Sequence, residues 1–193
     1  MRILSAILLS LSILAAGCNS GGGEPDEQAS PTEAAAGDSG SAGAGEGGGD
    51  VVLQAGSLEA GRKRLTFGKA DAKGAVKALK DSLGKPTEEQ KAQDCGPGPL
   101  YTVRWKGLTT YYSEGTLEGW YLDKPVPGAV KGPKGVGPGT KLGDLRAKFG
   151  KVKVDETNLG FEWSAGGVFG TLTADSDHDT VVQMWSGANC IAR

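Results

Sequence analysis

Tyr101-Thr102-Val103-Arg104-Trp105-Lys106-Gly107-Leu108-Thr109-Thr110-Tyr111-Tyr112-Ser113-Glu114-Gly115-Thr116-Leu117-Glu118-Gly119-Trp120-Tyr121-Leu122 reads as three strands joined by two tight turns. Tyr101, Val103 and Trp105 alternate with Thr102 and Arg104, the period of a strand with one buried face. Lys106-Gly107 and Glu114-Gly115 supply the glycine that a two-residue hairpin loop needs. Such turns fix register, and register assigns faces. Pairing Trp105 with Leu108 and Ser113 with Thr116 predicts a mostly apolar face of Tyr101, Val103, Trp105, Leu108, Thr110, Tyr112, Leu117 and Tyr121. The opposite face takes Thr102, Arg104, Thr109, Tyr111, Glu118 and Trp120.

Working back from this stretch, Ala72, Ala75, Val76, Leu79 and Leu83 recur at helical spacing, with Asp71 as cap and Gly84 and Pro86 as stop. The pattern then comes a second time. Thr140 is the expected cap, Leu142, Leu145 and Phe149 form the helical stripe, and Gly150 ends it. Phe161 and Trp163 lead through Ala165-Gly166 to Val168–Thr173, and a polar loop, Asp175 to Thr180, leads to Val181–Trp185. Aligning Leu83-Gly84 on Phe149-Gly150 places Leu117-Glu118-Gly119-Trp120 opposite Val182-Gln183-Met184-Trp185. The expected fold is α+β: an antiparallel sheet of about six strands with helices on one face. It is built from two tandem α-β-β-β repeats, about 65–123 and 136–190, joined by the Gly- and Pro-rich stretch Pro125 to Gly139. In the second copy the uncovered face would carry Glu162, Phe169, Thr171, Gln183 and Trp185.

The chain has 193 residues, and only 51–193 can hold this single domain. Residues 1–17 read as an export signal: Arg2, then the apolar run Ile3 to Leu14, too short for the roughly 20 residues of a membrane span. The run ends in Leu14-Ala15-Ala16-Gly17-Cys18, which resembles the lipobox of bacterial lipoproteins, with Ala15 where leucine is commonest. That resemblance implies cleavage after Gly17 and diacylglycerol on the Cys18 thiol, usually with acylation of the new amino end. Two or three acyl chains, at about 0.8 kcal/mol per buried methylene, hold a protein on a membrane where one would not. From Cys18 to Asp50 the chain is an acidic Gly/Ser/Ala/Pro tether with no Lys, Arg or aromatic residue. Its composition cannot bury enough apolar surface to offset ordering, so it is expected to be disordered, spanning on average about 30 Å.

Charge separates tether from domain. The whole chain carries 21 basic and 23 acidic side chains; setting aside Arg2 and the seven tether acids leaves 20 basic against 16 acidic. The lysines are scattered rather than striped, which argues against a nucleic-acid partner. Beyond Cys18 only Cys95 and Cys190 remain, and in an exported domain such a pair is expected to form a disulfide closing a 95-residue loop. A zinc pair or a catalytic thiol is the alternative.

Gly135-Val136-Gly137-Pro138-Gly139-Thr140-Lys141-Leu142 leads into the second helix, Cys95-Gly96-Pro97-Gly98 precedes the tryptophan strand, and Trp185-Ser186-Gly187-Ala188-Asn189-Cys190 nears the end. Together these motifs resemble a family of uncharacterised actinobacterial lipoproteins. The doubled unit is more distantly similar to the architecture of the β-lactamase-inhibitor protein, and the small lipoproteins of outer-membrane assembly use a related single unit. Both of those bind proteins, which implies a binding role at the level of fold only.

Chemistry-bearing residues are few. Asp175-Ser176-Asp177-His178-Asp179 has the alternate acids of a calcium loop, but Thr180 and Ser186 stand where such a loop needs Gly and Glu. His178 is the only histidine, and no serine sits in a nucleophile elbow, so no catalytic residue is assigned. Gly135 to Gly139 could cradle a phosphate, but Pro138 removes a needed N–H. No metal and no cofactor is expected. Aromatic rings among polar groups suit a face that meets a partner, and Arg104, Tyr111, Trp120 and Trp185 are the expected contacts. The expected function is thus a lipid-anchored module on the extracytoplasmic side of the cell membrane, binding a protein or envelope component without catalysis. In an organism with two membranes, Asn19 after the cysteine would favour the outer one. The alternatives are a purely structural envelope lipoprotein and an extracytoplasmic hydrolase relying on His178.

Overall fold

The computed structural model describes residues 50–92, 95–96 and 98–191. The expected signal segment, the lipidation site Cys18 and the tether up to residue 49 lie outside the described residues. The described residues begin with a meander of three short strands, β1 (Val51–Gln54), β2 (Ser57–Ala60) and β3 (Lys63–Thr66). Helix α1 (Ala72–Leu83) follows, then β4 (Glu88–Ala92), β5 (Leu100–Arg104), β6 (Leu108–Ser113) and β7 (Thr116–Leu122). A linker contributes β8 (Val130–Lys131) and a 3-10 turn at Pro133–Gly135. Helix α2 (Leu142–Phe149) then leads into β9 (Lys153–Thr157), β10 (Gly160–Ala165), β11 (Val168–Leu172) and β12 (Val181–Gly187).

The fold is α+β, with few helices and two mostly antiparallel sheets, ordered β3-β2-β1-β8 and β4-β5-β6-β7-β12-β11-β10-β9. This corrects the expected sheet of about six strands and the expected helix-plus-three-strand unit. Each helix is followed by four strands, and the two sets of four meet along β7 and β12. The expected fold had no small sheet, so β1, β2 and β3 are new, and in the large sheet it lacked β4 and β9, whose residues Glu88-Glu89-Gln90-Lys91 and Lys153-Val154-Asp155-Glu156-Thr157 show almost no apolar alternation. They are the two outer strands. An edge strand pairs on one side only, and charge along it discourages further pairing, so a polar sequence suits the place. The linker also adds β8, which pairs in parallel with β1.

Both helices start against a strand connection of their own half. Asp71 caps α1, its carboxylate accepting from the Gly74 N–H at 2.8 Å. The cap of α2 is Lys141, not Thr140, and it makes no side-chain hydrogen bond. The Thr140 hydroxyl instead accepts from the Gly137 N–H at 3.0 Å. The first N–H groups of α2 donate to the carbonyls of Asp179 (2.7 Å) and Asp177 (3.1 Å), which answers the helix's unpaired donors with backbone rather than a side chain.

The core joins all these parts. Leu53, Leu58 and Leu65 of the small sheet, Ala75 and Leu79 of α1 and Leu142 and Leu145 of α2 pack with Val103, Trp120, Trp163 and Met184 of the large sheet. Each such leucine contributes on the order of 1.5–3 kcal/mol when fully buried. Among the described residues no helix is long and apolar enough to cross a membrane.

Two bulges decide the faces of the central strands. Ser113 pairs with Thr116 and Tyr112 with Leu117, as the turn requires, but Tyr111 then pairs with Gly119. Glu118 is the extra residue, and everything after it on β7 changes face. The same shift recurs where Thr171 pairs with Gln183 and Leu172 with Val181, leaving Val182 extra. Trp120 is therefore turned into the core and Tyr121 out of it, the reverse of the expectation. The two bulges also correct the alignment of the halves by one residue, so that Trp120 corresponds to Met184 and Tyr121 to Trp185.

Candidate functional site

The face of the large sheet away from the helices carries one row of directly opposed residues across all eight strands. From β4 to β9 it runs Glu88, Arg104, Thr109, Tyr121, Trp185, Phe169, Ser164 and Lys153. Opposed residues on antiparallel neighbours lie about 4.5–5.5 Å apart and interact directly. The row has aromatic rings in the middle, where the halves meet, and charges towards its ends. Phe169 and Trp185 stack with ring centroids 6.5 Å apart and planes at 17°. The Tyr121 hydroxyl donates to the Gln183 side-chain carbonyl. The Arg104 guanidinium is bonded to the Asp123 carboxylate, which holds it over β6 and β7.

Beside this row the face is closed by the disulfide. Cys95 and Cys190 are bonded, with Cα atoms 4.5 Å apart and 95 residues between them. They pack with Leu100, Tyr111 and Ala188 into a small apolar cluster of their own. Tyr111 is only 6% exposed there. Burial pushes its hydroxyl up to about 12, against a smaller opposing effect of a backbone hydrogen bond at Cys190. Gly119 allows this closure: a Cβ on it would lie 2.1 Å from the Ala188 carbonyl oxygen.

Of the four expected contacts, the structure brings Arg104, Tyr111 and Trp185 to this face and withdraws Trp120. Trp120 is 0% exposed, and its indole N–H donates to the Gln54 carbonyl of the small sheet at 2.8 Å. Trp185 is itself only 1% exposed and Tyr111 lies under the disulfide, so Arg104 is the one expected contact with an exposed side chain. Tyr121, Asp123 and their hydrogen bonds were missed. The available signal was the spacing of Leu117, Trp120 and Leu122, three then two, which breaks strand alternation as a bulge does; Val181 and Met184 repeat it.

The acidic loop between β11 and β12 is used structurally. Arg146 of α2 pairs with Asp177 and, at 3.5 Å, with Asp175. Asp179 accepts from the Ser176 backbone and hydroxyl and from the Thr173 hydroxyl. Those side-chain hydrogen bonds, from Ser176 and Thr173, hold its carboxyl below the usual range. His178 sits exposed in the turn. Among the described residues, no group of three or more His, Cys, Asp or Glu is placed to hold a metal ion.

Compared with family models, with curated proteins and with solved structures, the chain finds no match in any of the three.

Proposed function

We propose that this chain is a lipid-anchored lipoprotein of the extracytoplasmic membrane face whose folded domain binds a protein or envelope component without catalysis. The observation that carries the binding role is the row Arg104–Thr109–Tyr121–Trp185–Phe169 on the face opposite the helices. Aromatic side chains and arginine dominate binding hot spots because they bring large contact area and directional hydrogen bonds together. Here Arg104 and Tyr121 are the groups to meet a partner, and the stacked Trp185 and Phe169 are the platform beneath. The absence of catalysis rests on His178, which is exposed and has no serine or thiol beside it in an elbow, while Cys95 and Cys190 are taken up by their bond. The anchor rests on residues 14–18 and on the resemblance they carry. The proposed membrane is the cytoplasmic one, or the outer one in an organism that has two.

Crosslinking in intact cells tests this. The native chain should be captured with a defined partner, and Arg104→Glu with Tyr121→Ala should lose it while still folding. Retained capture with both changes would sink the assignment of this face. Fractionation tests the anchor separately: Cys18→Ser should move the protein from membrane to soluble fractions, and an unmoved protein would remove the lipid from the account.

A further inference from the structure

A cleft lies between the end of α1, the β5–β6 turn and the linker, and Arg104 of the row forms part of its wall. Its volume is about 680 Å³, within the roughly 300–1,000 Å³ typical of small-molecule sites. Leu83, Trp105, Leu108, Val126 and Val130 supply apolar walls, with prolines 125 and 127 beside them. Trp105 is fixed there because its indole N–H donates to the Gly84 carbonyl at 3.0 Å. Gly107 brings the linker close, since a Cβ on it would lie 2.8 Å from the Lys124 carbonyl oxygen and 2.9 Å from a Val126 methyl. The Asp123 N–H donating to the Gly107 carbonyl at 3.0 Å closes the same contact.

The rim has one sign of charge. Lys85, Arg104, Lys106 and Lys124 line the cleft, and no acid does. Arg104 is neutralised by Asp123. Lys85, Lys106 and Lys124 are exposed and make no ion pair among the described residues. Three unpaired ammonium groups around an apolar floor are complementary to one kind of ligand. We propose that this cleft binds a small amphiphilic anion, an apolar chain or ring system ending in a single carboxylate-type head. The head would sit among the lysines and the body on Trp105 and the linker prolines. The acidic tether of this same chain matches the charge but not the walls, because between Asn19 and Asp50 it has no apolar side chain larger than alanine or proline.

The test is calorimetric titration of the purified full chain, at low ionic strength and below micelle formation, with dodecanoate, dodecanol and dodecyltrimethylammonium. Dodecanoate should bind at least tenfold more tightly than the other two. Its binding should shift the amide resonances of residues 106–108 and 129–130. Lys85→Glu with Lys124→Glu should weaken it tenfold or more, whereas Lys151→Glu, exposed and not among the residues that line the cleft, should leave it unchanged. Equal binding of dodecanol, unchanged affinity after the double reversal, shifts confined to the Tyr121–Trp185 face, or no binding of dodecanoate would each overturn the proposal. Binding of a synthetic peptide of residues 19–50 in place of dodecanoate would overturn it in favour of an acidic polypeptide. Arg104 is common to the cleft and the row, so the reversals are made at Lys85 and Lys124, which lie outside the row, and the failure of one reading is distinguishable from the failure of the other.

Discussion

The two halves of the large sheet trace the same path but place their long connection differently. In the first half the long connection joins β4 to β5 and carries Cys95, while β6 and β7 are joined by Glu114-Gly115 alone. In the second, β9 turns into β10 through Asn158-Leu159, and the long connection is the acidic loop between β11 and β12. Each half nevertheless docks its helix start at the same point. The Ala72 N–H donates to the Gly115 carbonyl and the Leu117 N–H to that of Ala70; the Leu142 N–H donates to Asp179 and the Val181 N–H to Thr140. At α1 the Asp71 carboxylate adds to a connection carbonyl, whereas at α2 loop carbonyls serve alone. What is shared is the physical need to satisfy the first N–H groups of a helix, and different residues meet it. The two helix starts are thus docked alike by different residues.

The largest predicted effect tests the bond between the halves. Replacing Cys95 and Cys190 together by serine should lower stability by about 4–5 kcal/mol in the chain-entropy model for a loop of this length. Urea unfolding would measure it, and a loss under about 1 kcal/mol would show that the long β4–β5 connection is not constrained through Cys95. Next comes the corresponding pair on β7 and β12. Trp120→Ala should cost about 3–5 kcal/mol, and more than Met184→Ala, because only Trp120 also ties the sheet to the Gln54 carbonyl. Equal costs would mean that this hydrogen bond adds nothing to the packing.

A third prediction uses pH and concerns the first half, which holds Tyr111. The folded state keeps this hydroxyl neutral up to about 12, against an ordinary value of 10.0, because of its burial. A raised folded value means stability that is fully present below pH 10 and lost as pH rises towards 12. A displacement of that size corresponds to roughly 3 kcal/mol. The urea midpoint should fall over that window in the native chain and fall less in Tyr111→Phe; equal falls would break the assignment to this residue. The smallest effect separates the caps. Asp71→Ala should cost about 1 kcal/mol, while Lys141→Ala, at the equivalent place in α2, should stay within about 0.5 kcal/mol. A comparable loss at both would contradict backbone capping of α2.

Much of the central architecture was legible. The turns at Lys106-Gly107 and Glu114-Gly115, the stripe of α1 and its Asp71 cap all follow from local chemistry that the finished structure repeats, while the turn expected at Ala165-Gly166 falls one residue later, at Gly166-Gly167. The candidate site was less legible. Arg104 and Trp185 were placed on the right face because nothing interrupts β5 and because the one-residue misalignment of β12 left Trp185 where it belonged. Trp120 and Tyr121 were exchanged because Glu118 adds a single residue to a ladder otherwise read by strict alternation. Edge strands β4 and β9 escaped notice because a strand with one pairing side and no buried face leaves no hydrophobic period to detect.

By itself the amino-acid order determined the class of fold, the turns at Lys106-Gly107 and Glu114-Gly115 and the starting point of α1, since each depends on a few neighbouring residues. It also held the two cysteines whose union the folded chain achieves. Tertiary structure alone decided which face each central aromatic occupies, that two groups of four strands join along β7 and β12, and that the linker lends a strand to β1. Those outcomes depend on register between segments far apart in the chain, and one extra residue in a strand inverts a face without leaving a composition or motif to mark it.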